Sequence, residues 1–243
     1  MLKALFLDMD ETLCDTTGAN LKALNQMAEK AAEIFAGQLD AHELSARYLK
    51  GIYRELDDRY RSLLLPVTDE EAFRLQLIEL IVQDLGVIDM PADAPRLLQS
   101  TFDESRTAFF DFFAGMGDQL LQWRKQVKLI VITNGPEFSQ VVKVERVDMS
   151  RYVDHIIIGG QEKEEKPAVS IFEKALKLAE CESEEVLHVG DSLSSDIMGA
   201  NNAGIRSLWV SHGESRTGHA AVPDYEVETP FEFIALVNDM LDS

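Results

Sequence analysis

The chain has 243 residues, 46% hydrophobic and 27% charged, with 23 Lys plus Arg against 43 Asp plus Glu. That is the composition of a globular protein long enough to bury a sizeable core, as one large domain or as a core carrying an insertion. A formal net charge of −20 argues against a nucleic-acid polymer or an anionic membrane as partner, and no apolar stretch reaches the roughly 20 residues of a membrane span.

The first segment, Met1-Leu2-Lys3-Ala4, runs into a short apolar strand, Ala4 to Leu7, and then Asp8. It lacks the longer apolar region and small-residue cleavage site of a signal peptide. Cys14 and Cys181 are the only cysteines and make no disulfide framework, so the expected compartment is the reducing cytoplasm. Cys14 is expected to pack as a small hydrophobe. From 14 to 108 the pattern is helical only, with apolar residues at three-and-four spacing in Leu75, Ile78, Leu80, Ile81 and Leu85. Gly51, Pro66, Pro91 and Pro95 punctuate it. Residues 14–108 are therefore expected to be an inserted all-helical cap domain, with 1–13 and 109–243 as the core. Arg59 and Arg61 fit a solvated helix face better than a substrate contact.

Further strands are expected at Leu129 to Ile132, His155 to Ile158, Val186 to Val189 and Ser207 to Val210. Each is too short for a helix and has little polar alternation, as in strands buried on both faces. Helical patterns lie between them, such as the stripe Ile171, Phe172, Ala175, Leu176 and Ala179. Strand alternating with helix gives an α/β fold with a doubly wound parallel sheet of the Rossmann type. Trp123, Trp209 and His188 are expected in the core. Ser192, Ser194 and Ser195 suit turns and caps better than nucleophilic catalysis.

The polar clusters follow the C-terminal ends of expected strands, where open α/β sheets bind ligands. Asp8, Asp10 and Thr12 follow the first strand, and Thr133-Asn134-Gly135 ends the second. Lys166-Pro167 follows the third, and Gly190-Asp191 ends the fourth with Asp196 five residues on. Several carboxylates around one crevice cannot all ionise without a cation. Oxygen ligands of this kind suit Mg²⁺, and the ion and Lys166 would give a strongly acidic chain the local positive focus a phosphorylated substrate needs. A carboxylate can attack phosphorus, and a second carboxyl can move the proton.

These four clusters resemble, in order and spacing, the motifs of the haloacid dehalogenase superfamily: Asp8-x-Asp10-x-Thr12, Thr133, Lys166 and Gly190-Asp191 with Asp196. Asp15 to Ala19, Gly159 to Pro167 and Ala200 to Gly204 are similar to the branch holding N-acylneuraminate phosphatases and pyrimidine nucleotidases. The resemblance implies a nucleophile and metal ligand at Asp8. It implies a general acid/base at Asp10 that also offers its backbone carbonyl to the metal. Thr133 and Asn134 are implied at the phosphoryl group, Lys166 as the neutralising cation, Asp191 as a direct metal ligand, and Asp196 as a group orienting Lys166 or a water on the metal. The implied activity is Mg²⁺-dependent hydrolysis of a small phosphorylated metabolite, a nucleoside monophosphate or sugar phosphate. The alternatives are a 2-haloacid dehalogenase, a phosphomutase or a non-catalytic module on the same fold. Asp10 argues against the dehalogenase, whose branch lacks that second Asp.

Overall fold

The computed structural model describes residues 1–55, 60 and 70–242. Arg59, Arg61 and Pro66 lie outside the described residues. The backbone divides into two compact units, one of Met1–Thr16 with Phe110–Ser243, the other of Thr17–Phe109.

The chain enters the first unit with β1 (Ala4–Leu7), every residue of which is buried. It then supplies α1 (Thr16–Phe35), α2 (Ala41–Ile52), α3 (Glu70–Asp84) and α4 (Ala94–Phe109), the regular elements described between β1 and the rest of the sheet unit. Apolar faces make the core of this helical unit: Met27, Phe35, Leu44, Tyr48, Leu77, Ile81 and Phe102 are buried together. Tyr48 meets Phe102 edge-on with ring centroids 5.3 Å apart, a favoured aromatic geometry.

One local expectation changes here. The buried side of α3 is Phe73, Arg74, Leu77, Ile78, Ile81 and Val82, whereas Leu75, Leu80 and Leu85 are only half-buried. Apolar and polar residues are mixed all round α3, which therefore carries no clean stripe, and spacing alone picked partly neighbouring rows. Gly51 lies in the last turn of α2, which ends at Ile52, as the punctuation expected there. A Cβ there would sit 2.3 Å from Leu77 Cδ2, so this glycine lets α2 and α3 approach.

The sheet unit continues with α5 (Met116–Trp123), β2 (Lys128–Thr133), α6 (Glu137–Arg146) and β3 (His155–Ile158). After them come α7 (Val169–Ala179), β4 (Val186–Gly190), α8 (Met198–Asn202), β5 (Arg206–Val210), β6 (Tyr225–Val227) and α9 (Pro230–Leu241). The five expected strands are all present within a residue at each end. The sheet runs β3-β2-β1-β4-β5-β6, and every pairing is parallel. One of its faces is packed by Phe6, Ile130, Ile132, Ile157, Phe172 and Ala175.

The strand order reverses at β1 and β4. Loops leave two neighbouring strands there in opposite directions, which opens a crevice at their C-terminal ends. Leu7 lies level with Val189 of β4 and Val131 of β2, so the residues after these three strands meet at one edge. The added strand β6 is short and polar, with Glu226 exposed. It is an edge strand with too little apolar signal to be seen in sequence.

Candidate active site

Asp8 follows the last residue of β1, and its N–H continues the ladder by donating to Val189 O at 2.9 Å. The chain then curls. Leu13 and Cys14 N–H groups both donate to Met9 O, Glu11 N–H donates to Cys14 O, and Glu11 takes a left-handed φ of 57°. Thr12 is buried inside this loop, and its hydroxyl has no partner among the described residues. Cys14 is buried, and burial pushes its thiol well up with the Asp10 charge adding to it. It behaves as the packing residue expected.

Lys166 and Asp196 form the floor. Lys166 Nζ donates to Asp8 Oδ1 at 2.5 Å and to Asp196 Oδ1 at 2.7 Å, and all three side chains are nearly inaccessible. Asp196 Oδ1 also meets His188 Nε2 at 3.0 Å, and its Oδ2 accepts from the Ser192 N–H. Burial lowers the His188 pKa; the ring is neutral, and Nε2 carries the hydrogen that faces the carboxylate. His188 is thus in the core as expected, but also holds a site residue. Gly190 makes room for this: a Cβ would sit 2.2 Å from Asp196 Cγ. Ser192 caps the π-helical turn Leu193–Ile197 by accepting from Ser195 N–H. Trp209 is buried as expected and donates its Nε1–H to Asp191 O at 2.7 Å, fixing the end of β4.

The second carboxylate of the first motif has a separate set of partners. Asp10 Oδ1 accepts from Thr16 Oγ1 at 2.5 Å and from Lys143 Nζ at 2.8 Å. Its Oδ2 accepts from Lys143 Nζ at 2.8 Å and from Gln140 Nε2 at 3.0 Å. Burial would raise the Asp10 pKa, but Lys143, with Thr16 and Gln140, holds it below the ordinary carboxylate value.

Thr133 ends β2 and is buried. Its hydroxyl reaches only Asn134 O at 3.5 Å, which is too long for a good hydrogen bond. Asn134, expected at a phosphoryl group, turns both ends of its amide to the Lys166 backbone. Nδ2 donates to Lys166 O at 2.7 Å, and Oδ1 accepts from Lys166 N–H at 2.9 Å. Its visible contacts fix the lysine segment. Gly160 permits this approach of two loops, since a Cβ there would lie 2.6 Å from Gly135 O.

Oxygens of Asp8, Asp191 and Asp196 lie within 4.8 Å of one another. Asp196 is held down to about 2: Lys166 and His188 outweigh its burial. Asp8 rises to about 7, because burial with Asp196 and Asp10 nearby outweighs Lys166. Asp191 rises to about 9 through burial and then the charges of Asp8 and Asp196. One lysine therefore does not neutralise the cluster. A divalent cation with a taste for hard oxygen ligands fits the remaining donors of Asp8 and Asp191. Asp196 is committed to Lys166, His188 and Ser192, and the Asp10 carboxylate is turned to Lys143. Of the expected metal set, Asp8 and Asp191 thus contribute carboxylates to this cluster, while the contribution expected of Asp10 was its backbone carbonyl.

Sequence reasoning missed Gln140, Lys143 and Thr16, and missed His188 as a polar partner. A signal existed for the first two. They are three apart on α6, right after the Thr-Asn-Gly segment, which puts them on one face of the helix leaving the site. A lysine among Val141, Val142 and Val144 is also unusual.

A parallel sheet with this strand order, and an aspartate cluster and lysine at its switch point, defines a class of hydrolytic α/β enzymes. The family model of haloacid dehalogenase-like hydrolases matches residues 5–210, and the chain belongs to that family. Among curated proteins it is 28% identical to the N-acylneuraminate-9-phosphatase of Rattus norvegicus, over 98% of this chain and 95% of that protein. It is likewise 28% identical to the glyceraldehyde 3-phosphate phosphatase of Pyrococcus abyssi, over 88% of this chain and 83% of the other. Among solved structures it is similar to the magnesium-bound HAD-hydrolase YfnB of Bacillus subtilis, with a TM-score of 0.70 at 20% identity, covering 98% and 99% of the two chains.

Proposed function

We propose that this chain is a phosphatase that hydrolyses a small phosphomonoester through a phosphoryl group carried on Asp8. The observation that supports this most is the buried Asp8 carboxylate, ion-paired to Lys166 at 2.5 Å and set beside Asp191 and Asp196. In the proposed cycle Asp8 attacks phosphorus, the ester P–O bond breaks, and the leaving oxygen takes a proton from Asp10. Water then attacks the phosphorus of the acyl phosphate, Asp10 takes a proton from that water, and Asp8 is released with inorganic phosphate. Asp10 sits here in its ionised form, the form needed for the second half. It must gain a proton before it serves the first.

Lys166 neutralises charge on the nucleophile and the phosphoryl group, and Thr133 offers a hydroxyl to a phosphoryl oxygen. Asn134 and Asp196 hold Lys166 from its backbone and its ammonium. The carboxylates of Asp8 and Asp191, with the backbone carbonyl of Asp10, are the residues that would hold Mg²⁺. When bound, the ion supplies charge neutralisation and fixes phosphoryl geometry.

The helical unit is proposed as the cap that selects the substrate. Both relatives matched over most of their length carry names of phosphatases for small phosphorylated sugars or trioses, so sugar and sugar-acid phosphates come first and nucleoside 5′-monophosphates second. The test is steady-state kinetics on a broad phosphomonoester panel with Mg²⁺. The expected result is turnover of small phosphate esters that ceases on chelation. No phosphate release from any ester, or preference for a phosphopeptide by orders of magnitude in kcat/KM, would defeat the reading.

A further inference from the structure

The Asp10 carboxylate is held by a helix that none of the four motifs includes. Lys143 and Gln140 lie in α6, and each is less than a tenth exposed. Burying an ammonium is costly unless it is paired and hydrogen-bonded, and Lys143 Nζ donates to both oxygens of Asp10. Gln140 Nε2 bridges Asp10 Oδ2 at 3.0 Å and Asn134 O at 2.6 Å, tying the second motif to the first. Gly135, at φ 115°, leaves the room: a Cβ there would meet Gln140 Nε2 at 2.9 Å. Thr16, Gln140 and Lys143 thus hold both Asp10 oxygens from three sides, which fixes the plane of the carboxylate.

We propose that Lys143 and Gln140 are positioning residues for Asp10, setting the orientation from which it exchanges protons with the leaving oxygen and with water. This rests on the acid/base reading of Asp10. The same lysine on a substrate phosphate would instead act on binding, and a purely architectural lysine would act on folding alone.

The test uses the full chain with Mg²⁺ and two esters, p-nitrophenyl phosphate and an alkyl ester such as a sugar phosphate. The variants are Asp10→Asn, Lys143→Met, Gln140→Met and the Asp10→Asn/Lys143→Met pair, with circular dichroism and Tm recorded for each. We expect Lys143→Met to lower kcat on the alkyl ester by about 10- to 100-fold, and on the aryl ester, whose leaving group hardly needs a proton, by no more than about threefold. KM should stay within about threefold, and the double variant should be no slower than Asp10→Asn alone, since two groups acting through one step are not additive. Equal losses on both esters, a loss confined to KM, or additive losses in the pair would each overturn the proposal. If Asp10→Asn shows no leaving-group dependence, the acid/base reading fails by itself; additivity in the cycle still decides whether Lys143 acts through Asp10. Should Lys143→Met not fold, Gln140→Met is read in the same cycle.

Discussion

The two compact units treat buried charge in opposite ways. In the helical unit the buried Arg74 meets Glu70 at 3.1 Å and Asp103 at 3.0 Å, one cation between two acids, with burial raising the Asp103 carboxyl only against the pull of that cation. In the sheet unit three carboxylates crowd within 4.8 Å, Lys166 pairs with only two of them, and two are pushed above the usual carboxylate range. A chain selected only for stability would not keep the second arrangement, because unmatched buried charge is expensive. Local conflict of that kind is expected where function demands it. One unit uses its buried polar groups for architecture and the other for chemistry, and substitutions should separate the two.

The largest expected effect is on Asp8. Asp8→Asn keeps shape and removes the nucleophile, so kcat should fall about 10⁴-fold or more while the circular dichroism spectrum stays native. A folded Asn variant retaining a substantial fraction of activity would sink the covalent cycle. The counterpart in the helical unit is Phe102→Ala, which removes a fully buried ring packed edge-on against Tyr48. It should cost about 3–5 kcal/mol of stability, read by urea unfolding. The kcat of its folded fraction on p-nitrophenyl phosphate should change by less than about tenfold, far less than in the Asp8 variant.

A sharper contrast uses two glycines with the same steric problem. A Cβ on Gly190 would lie 2.2 Å from Asp196 Cγ, and one on Gly51 would lie 2.3 Å from Leu77 Cδ2. Gly190→Ala and Gly51→Ala should each cost about 1–3 kcal/mol by overpacking. Only the first displaces the carboxylate that holds Lys166, so only Gly190→Ala should also lower kcat, by about tenfold or more. Equal kinetic losses from both would erase the distinction between the units.

The difference between the units also decides what was legible in the sequence. Asp8, Thr133 and Asp191 stand at or just beyond strands that are nearly all apolar, and parallel register brings such positions together without further information; Lys166 lies in the loop well past the end of β3 and was legible only through its motif. The close approach of α2 and α3 at Gly51 was hidden because a glycine near a helix end is read as punctuation, which it is here, and the sequence does not show the Leu77 packed against it. The partners Gln140, Lys143 and His188 were hidden for a different reason. Each lies within a helix or strand, where a polar residue is usually explained by a solvent face or by packing, and only the fold shows which carboxylate it meets. Strand β6 was hidden by being three residues long with a glutamate at its centre.

The smallest effect tests the charge imbalance itself. In the metal-free protein the Asp8 and Asp191 carboxyls titrate near 7 and 9, against about 3.9 for an unfolded aspartate. Between those limits the folded chain binds more protons than the unfolded one, so stability falls as pH rises. Their contribution is full below about pH 4 and is lost as pH climbs through 7 and then 9. Asp196, held to about 2, and Asp10, held low, are ionised across that window and add no slope. The surface of a chain with net charge −20 gives a slope of the same sign, so the informative quantity is a difference. Metal-free Asp191→Asn should lose less stability than wild type between pH 5 and 8.5, by a margin on the order of a few degrees in Tm. Mg²⁺ binds the ionised carboxylates and should raise the wild-type Tm more at pH 8.5 than at pH 5, and should raise that of Asp191→Asn much less at either. Identical pH slopes for the two metal-free proteins, together with an Mg²⁺ shift that the substitution leaves intact, would remove Asp191 from the crowded cluster.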